Sequence, residues 1–455
     1  CPAGKLISVL LPFSQNSEIS SITLEAMGER TDTIAGLDDI AVPEYIDERL
    51  AAKALVNGLG LQSVRIVECK ITRATANGDN YMSDVFRLAV RYVAEQSGDE
   101  RTISLVVKSL PATGQRGPMI EEVQAYTKEA TMFRDVVPAL SELTGGMFFA
   151  ARCFYASDLP ERLLVFEDLK ALGYVTVNRQ AGLDFEHCAL VMRKIGQFHA
   201  ASMRFAEQRL ELLQRQFHFN MFNPDHGEAS GQLRTIFEKG LEALIAVARE
   251  RWDGFDQTIV QKLERLAPVY IDRLRACLEQ DCEADGGYRV LNHGDLWSNN
   301  MLFRYDPTEP ATVQDVAFVD LQISFYSSPG VDLNYVLATC PNYDTRARLD
   351  ELIELYYASF RDTLEQLQYT ARPIPSLADV RREIRRMEFY ALVSVVSVLP
   401  IVVMDHTDEL VANFENLIDG KDAARARDIQ YNGVNYQRIV RPMLIEFNQR
   451  KMLDI

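Results

Sequence analysis

Residues 290–300 are the segment of this chain whose side chains are best suited to chemistry. An apolar stretch leads into His293, which is followed by Asp295 and Asn300, and the spacing is His-x-Asp-Leu-x-x-x-Asn. At this spacing the aspartate can accept a hydrogen bond from an attacking hydroxyl, while the asparagine offers its amide oxygen to a metal ion. The alternative is an ordinary His–Asp turn that the asparagine caps. The spacing predicts a loop for phosphoryl transfer, with Asp295 as the catalytic residue.

A second carboxylate, Asp320, comes directly after an apolar strand that the sequence predicts over residues 316–319. A strand that ends in an acid can hold this acid at the edge of a cleft. Carboxylate and amide oxygens are ligands that Mg²⁺ accepts together with the phosphates of a nucleotide. We therefore expect Asp320 and Asn300 to bind Mg²⁺ on ATP.

His293 and Asp332 are expected to support this loop. The histidine is interpreted as a brace for the loop rather than as a group that transfers protons. Asp332 begins a predicted helix, where its carboxylate could cap the helix or accept hydrogen bonds from the loop. Both residues are predicted to have structural roles. The candidates for the lining of an acceptor pocket are Trp297, Phe325, Tyr326 and Tyr335.

A lysine and a glutamate earlier in the chain could complete a nucleotide site. Lys108 follows an apolar strand, so its ammonium could reach the phosphates of ATP, although a lysine at the end of a strand commonly just reaches solvent. A helix follows, in which Glu121, Glu122 and Glu129 are candidate partners. Glu129 is preferred because it lies at the edge of the apolar side of this helix. The alternative is that Glu129 faces solvent and has no role in the site.

Two segments are expected to contact the nucleotide through the backbone. The turn that holds Gly78, Asp79 and Asn80 would lie over the phosphates, yet with its single glycine it also fits an ordinary Asn-Gly hairpin. In the link after the fifth predicted strand, the carbonyl of Glu167 and the amide of Leu169 would meet the adenine edge.

The hydrophobic patterns that must position these residues change along the chain. The first part favours a helix, then a three-stranded antiparallel meander, a helix that stops before Pro138, and two more strands. The predicted ranges are 43–56, then 64–67, 85–90 and 102–107, then 120–136, and finally 147–156 and 163–166. Helical periods dominate afterwards, with helices predicted over 185–208, 233–251, 257–280, 345–367 and 377–399.

This order predicts an α+β bilobal fold like that of protein kinases. An amino-terminal extension would cover residues 1–42, a small lobe with an antiparallel β-sheet residues 43–166, and a large, mainly α-helical lobe residues 167–455. The large lobe would carry the catalytic loop and helices that shape the acceptor-binding region.

The composition narrows the possible partners. The formal net charge of −17 disfavours binding to nucleic acid or to an anionic membrane surface. The seven cysteines are scattered and odd in number, which is typical of reduced thiols, and the six histidines form no metal-binding pattern. The apolar run over 389–404 is too short to span a bilayer. We expect a cytoplasmic protein without an obligate protein partner.

Together these segments resemble the ecdysteroid kinase-like family of insects, which is related to choline kinases, aminoglycoside phosphotransferases and protein kinases. The resemblance covers roughly residues 43–440 and is carried by VKSLP at 107–111, EATMF at 129–133, VFEDL at 165–169, HGDLWSNN at 293–300, VDLQ at 319–322 and DLNY at 332–335. It implies ATP- and Mg²⁺-dependent phosphorylation of a small alcohol, such as an ecdysteroid or a related steroid or xenobiotic. Kinases of the choline or aminoglycoside type, and a non-catalytic kinase fold that binds a ligand, are the alternatives.

The chain departs from protein kinases in two respects. Where those enzymes have Asp-Phe-Gly, this chain has Asp320-Leu321-Gln322, and an Ala-Pro-Glu segment is missing. More than a hundred residues also separate Leu169 from Asp295, enough for helices that shape a pocket. Both features favour a small molecule over a protein as the phosphate acceptor.

Overall fold

The computed structural model describes residues 42–74, 83–95, 98–110, 123–218, 220, 222, 227–283, 286–404 and 422–455. The predicted extension over residues 1–42 lies outside these ranges except for its last residue. Within them, a small lobe with an antiparallel sheet precedes a large lobe that is mainly helical, which confirms the predicted fold class.

Five antiparallel strands form the sheet of the small lobe. Their order in the sheet is β1-β2-β3-β5-β4, so the three consecutive strands of the predicted meander lie side by side. β1 continues well beyond its predicted end because alternating polar and apolar residues suit a half-buried edge strand. The strands are β1 Val64–Arg73, β2 Asp84–Ala94, β3 Glu100–Ser109, β4 Cys153–Ser157 and β5 Leu163–Glu167.

Helix α1, Glu48–Leu59, covers one face of this sheet. It begins later than the predicted residue 43, because the Asp47 carboxylate caps it by accepting the N–H groups of Arg49 and Leu50, each at 2.9 Å. Its apolar side packs with the sheet in a separate core, to which Leu55 contributes. This core holds β1–β3 as a rigid platform for Lys108.

A helical segment between β3 and β4 covers the other face of the sheet. It consists of α2, Ala125–Thr131, a wider π-helical turn over Met132–Val136, and α3, Val137–Leu143. The prediction that the helix stops before Pro138 is wrong. The π-helical turn makes Pro138 part of a new first helical turn, where a missing N–H costs little.

The large lobe is built on long helices. The two helices that contain Gly196 and Tyr356 approach each other closely. A Cβ atom at Gly196 would lie 2.7 Å from the carbonyl oxygen of Tyr356. The helices are α4 Phe185–Gln216, α5 Gly227–Glu250, α6 Gln257–Leu266, α7 Tyr270–Leu278, α8 Gly330–Thr339, α9 Leu349–Gln366, α10 Leu377–Arg386, α11 Glu388–Ser397, α12 Leu399–Val402, α13 Ala423–Asn432 and α14 Val434–Gln449.

Three helices predicted as continuous are divided in the structure. A 3₁₀ turn that contains Pro268 separates α6 from α7, since proline cannot donate the helical hydrogen bond. Met387, with φ −97° and ψ 17°, separates α10 from α11. A 3₁₀ turn over Thr345–Arg348 precedes α9. Among the described residues, no helix is both long enough and apolar enough to cross a membrane.

Candidate active site

Two small antiparallel sheets in the large lobe position the predicted catalytic loop. β6, Tyr174–Val175, is the edge strand of one sheet, in which β8, Met301–Tyr305, pairs with both β6 and β9, Val313–Phe318. In the other sheet β7, Val290–Asn292, pairs with β10, Phe325–Ser327, and the loop begins directly after β7.

The register of β8 and β9 brings the proposed metal ligands to the same end of their sheet. Met301 lies opposite Phe318, and the N–H of Val319 donates to the carbonyl of Asn300 at 3.1 Å. Asp320 is the next residue after Val319, so its carboxylate lies beside the catalytic loop.

Lys108 joins the two lobes at this point. Its Nζ lies 2.8 Å from the Glu129 carboxylate on α2 and 2.6 Å from Oδ1 of Asp320 in the large lobe. The side chains of Lys108 and Glu129 are only 8% and 4% exposed, respectively. Of the three candidate partners, Glu121 and Glu122 lie outside the described residues. The structure thus brings the lysine, the preferred glutamate and the second carboxylate into one cluster.

The carboxylates keep this buried lysine charged. Burial by itself would lower the pKa of Lys108, but Asp320 and Glu129 outweigh burial and raise the pKa above its usual value. Gln322 places its side-chain oxygen 3.4 Å from the same ammonium. A cation fixed in this way is suited to holding an anionic ligand between the lobes.

Asp295 is held by hydrogen bonds at both carboxylate oxygens. Nδ2 of Asn300 donates to Oδ2 of Asp295 at 2.9 Å and also to its backbone carbonyl at 2.9 Å. The hydroxyl of Tyr335 donates to Oδ1 at 2.5 Å. Burial raises the pKa of Asp295, although the hydrogen bonds from Tyr335 and Asn300 oppose this effect. A carboxylate with a raised pKa is a stronger proton acceptor than an exposed one.

Asp332 anchors the backbone of the catalytic loop. Its two oxygens accept the N–H groups of His293 at 2.7 Å and of Gly294 at 2.9 Å, and His199 approaches one of them at 3.2 Å. Asp332 was predicted either to cap α8 or to accept hydrogen bonds from the loop. It accepts the hydrogen bonds from the loop, and the N-cap position of α8 is occupied by Pro329.

His293 braces the loop from within. Its Nδ1 accepts the N–H of Asp295 at 3.3 Å, and its Nε2 lies 3.0 Å from the carbonyl of Val319. These bonds require the neutral ring with the proton on Nε2. The ring therefore connects the catalytic loop to the strand that leads into Asp320.

Two residues of the site have left-handed backbone conformations. Gly294 has φ +87°, and a Cβ atom there would lie 2.5 Å from the carbonyl oxygen of Ile323. Asp320 has φ +61°, an unusual value for a residue other than glycine. Such strain persists where the surroundings fix the backbone, and it is common at functional sites.

The backbone contacts expected for the nucleotide remain predictions. Gly78, Asp79 and Asn80 lie outside the described residues. Glu167 ends β5 and donates its N–H to the carbonyl of Arg152 at 3.0 Å, while Leu169 is the buried first residue of a 3₁₀ turn that is otherwise exposed.

The donor set fits Mg²⁺ held partly by phosphate. In the described ranges of the chain, no group of three or more histidine, cysteine, aspartate and glutamate residues could hold a metal by itself. The amide nitrogen of Asn300 donates to Asp295, and its side-chain oxygen accepts no hydrogen bond from the described residues, so this oxygen can face a cation beside Asp320. Mg²⁺ is commonly bound by one or two protein oxygens together with substrate phosphates and water.

Sequence patterns missed two contacts of the site region. One is the hydrogen bond from Tyr335 to the catalytic carboxylate, although Tyr335 was expected near the acceptor. The other links Asp168, the residue after β5, to Arg87 Nε and to the hydroxyl of Ser104, both at 2.7 Å. These contacts join residues that are far apart in the chain, so no local sequence pattern predicts them.

Comparisons with known proteins support the predicted family. Residues 77–369 match the model of the ecdysteroid kinase-like family, a shorter range than the predicted resemblance. No curated protein sequence matches this chain. The match confirms the predicted family and enzyme class, a phosphotransferase with an alcohol group as acceptor.

Several solved structures are distantly similar. A choline kinase from Cryptosporidium parvum Iowa II has 12% identity and a TM-score of 0.42, over 89% of this chain and 99% of that chain. A Plasmodium vivax ethanolamine kinase has 11% identity and a TM-score of 0.40, over 83% and 88%. A macrolide 2′-phosphotransferase from Brachybacterium faecium has 11% identity and a TM-score of 0.34, over 85% and 97%.

Proposed function

The chain belongs to the ecdysteroid kinase-like family, and from this membership and the geometry of the site we propose that it transfers the γ-phosphoryl group of ATP, with Mg²⁺, to a hydroxyl of a small molecule. The acceptor that we favour is an ecdysteroid or a related steroid or xenobiotic alcohol. The observation that carries the proposal is the contact of Lys108 with Asp320 at 2.6 Å, beside the loop of Asp295 and Asn300.

The proposed roles follow from the positions of the charges. Lys108, fixed by Glu129, holds the α- and β-phosphates, and the backbone of residues 78–80, 167 and 169 surrounds the rest of the nucleotide. Asp320 and Asn300 hold Mg²⁺, which neutralises phosphate charge when it is bound. Since Oδ1 of Asp320 bonds to Lys108, we expect the arrival of Mg·ATP to lengthen this contact.

Asp295 orients the acceptor. The acceptor oxygen forms a bond to the γ-phosphorus while the bond from this phosphorus to the β–γ bridging oxygen breaks, and ADP leaves. The hydroxyl proton passes to the carboxylate of Asp295, which acts as the base. His293 and Asp332 keep the loop in place and do not exchange protons.

The surroundings of Asp295 disfavour an aminoglycoside as the acceptor. The rings of Tyr335 and Tyr390 lie next to it with centroids 6.0 Å apart. An aminoglycoside carries several ammonium groups and needs further carboxylates, whereas aromatic rings suit a steroid alcohol and also bind the quaternary ammonium of choline by cation–π contact. The preference for a steroid alcohol over choline therefore rests on membership of the family.

The test is a phosphate-transfer assay with Mg·ATP and a panel that contains steroid alcohols, choline and an aminoglycoside. Mass spectrometry would detect a gain of one phosphate on a steroid alcohol. Asp295→Asn should lower kcat by about 10³-fold or more while Mg·ATP binding remains close to that of the wild type.

The exposed carboxylate Asp350 on α9 provides the control, because Asp350→Asn should leave kcat unchanged. Unchanged turnover by Asp295→Asn would remove the assigned base. Transfer to choline or the aminoglycoside alone would favour the alternative kinase type, and nucleotide binding without any transfer would favour a non-catalytic kinase fold.

A further inference from the structure

Tyr335 makes the shortest contact described for the catalytic carboxylate. Its hydroxyl lies 2.5 Å from Oδ1 of Asp295, a length typical of a charge-assisted O–H···O⁻ hydrogen bond. The side chain is 5% exposed, and its ring packs beside Tyr390. This bond is therefore a fixed part of a buried site rather than a contact at the surface.

Helix α8 supplies both this hydroxyl and the anchor of the loop. Tyr335 and Asp332 are three residues apart on α8, a spacing that places them on the same face of the helix. Asp332 holds the backbone N–H groups of His293 and Gly294, while Tyr335 holds the carboxylate of Asp295. One rigid element thus sets both the path of the loop and the orientation of its base.

The hydroxyl of Tyr335 lies where an acceptor hydroxyl has to arrive. The amide of Asn300 is held by both Oδ2 and the backbone carbonyl of Asp295, whereas Oδ1 accepts only the Tyr335 hydroxyl among the described residues, so we assign Oδ1 to the acceptor. A phenol donating to Oδ1 imitates the acceptor at this position. A water molecule could compete only by breaking a short hydrogen bond without replacing the packing of the ring.

We propose that Tyr335 is a positioning residue that occupies Oδ1 of Asp295 until the acceptor arrives, and so protects ATP from water. This inference depends on the proposed phosphotransfer. In the reaction that Tyr335 suppresses, a water oxygen bonds to the γ-phosphorus and the bond to the β–γ bridging oxygen breaks. The water proton passes to Asp295, and ADP and inorganic phosphate are released. An alcohol acceptor, by contrast, brings contacts of its own with the protein that compensate for displacing the tyrosine hydroxyl.

The experiment measures hydrolysis of Mg·ATP without any acceptor. Tyr335→Phe retains the ring and its packing but removes the hydroxyl, and it should hydrolyse ATP at least tenfold faster than the wild type. Tyr335→Leu removes the same hydroxyl in a second way and should change hydrolysis in the same direction. Adding Asp295→Asn to Tyr335→Phe should abolish the increase, because the activated water needs this base.

Tyr357→Phe is the matched control. It removes a hydroxyl from a half-buried tyrosine on α9 whose ring faces Arg361 at 5.7 Å and has no role in the site, and it should hydrolyse ATP within twofold of the wild type. Mg·ADP binding shows that each variant keeps its site. Hydrolysis by Tyr335→Phe at or below the wild-type rate, with Mg·ADP still bound, would overturn the inference. The proposed function is tested separately, by phosphate transfer from the wild type to the alcohol panel.

Discussion

At the scale of single residues, the site is organised around one buried ammonium. Lys108 lies between the carboxylates of Glu129 and Asp320, and the Glu129 carboxylate is almost fully removed from solvent. A buried charge that loses its partner is strongly destabilising, whereas a pair replaced by apolar groups can be neutral. The contribution of Lys108 to folding can therefore be separated from its proposed contribution to nucleotide binding.

Lys108→Met should lower the free energy of unfolding by about 3 kcal/mol, because it leaves the Glu129 carboxylate buried without its cation. The double variant Lys108→Met with Glu129→Met should recover most of this loss, since Asp320, the carboxylate that then lacks its cation, is 24% exposed and remains accessible to water. Neither variant should transfer phosphate at a rate above about 1% of the wild type. Urea unfolding and the transfer assay would measure the two effects.

The opposite pattern would contradict this account. If the double variant regained phosphate transfer together with stability, Lys108 would serve the fold and not the nucleotide. Glu129→Gln is the milder control, because it keeps a hydrogen-bonding oxygen near Lys108 and should reduce transfer less than the loss of the lysine.

The sequence predicted part of this cluster and not all of it. Lys108 lies in a strand and Glu129 in a helix. The apolar residues of these elements indicate which face of the strand or helix each side chain is on. The bond of Tyr335 to Asp295 could not, because it depends on how α8 packs against the loop across 40 positions of the chain. Contacts between distant segments leave no spacing to recognise.

At the scale of elements, the catalytic loop depends on a close approach of two backbones. Gly294 stands at φ +87° and faces the carbonyl of Ile323, in the 3₁₀ turn that follows Asp320. A side chain at this position meets both an unfavourable backbone conformation and a steric clash. The glycine therefore lets the base and the second carboxylate lie side by side.

Gly294→Ala should lower the free energy of unfolding by more than about 2 kcal/mol and reduce kcat at least a hundredfold, because the loop has to move away from Ile323. Gly254→Ala is the matched control. Its φ is +67°, but a Cβ atom there would meet nothing within 4 Å. It should cost only about 1 kcal/mol and leave kcat unchanged. Equal effects of the two substitutions on kcat would show that the close approach to Ile323 is unimportant.

Element boundaries were less predictable than element types. The meander was predicted because alternation in β2 directly reflects which face is buried. The helix boundary at Pro138 was predicted wrongly because a π-helical turn, which has no simple sequence pattern, allows the chain to continue. Conversely, the apolar spacing over residues 257–280 continues past Pro268 and predicted one helix, but the structure has two helices separated at this proline.

At the scale of the whole molecule, the two lobes meet through charged contacts at the site. The salt bridge of Lys108 with Asp320 is one of these contacts. Asp168, at the link between the lobes, is tied to Arg87 and Ser104 of the sheet. Burial raises the pKa of Asp168, but its bonds to Arg87 and Ser104 outweigh burial and lower it, so the carboxylate stays charged. The link is thus fixed to the small lobe, and the nucleotide is expected between the lobes.

A crystal structure of the chain with Mg²⁺ and a non-hydrolysable ATP analogue tests the central claim most directly. We expect the triphosphate between the lobes, with Lys108 on its α- and β-phosphates, and Mg²⁺ bound by Asp320 and Asn300. The γ-phosphate should face Asp295, and the bond of Lys108 to Asp320 should be lengthened. A nucleotide bound elsewhere, or a metal without contact to Asp320 and Asn300, would contradict the account.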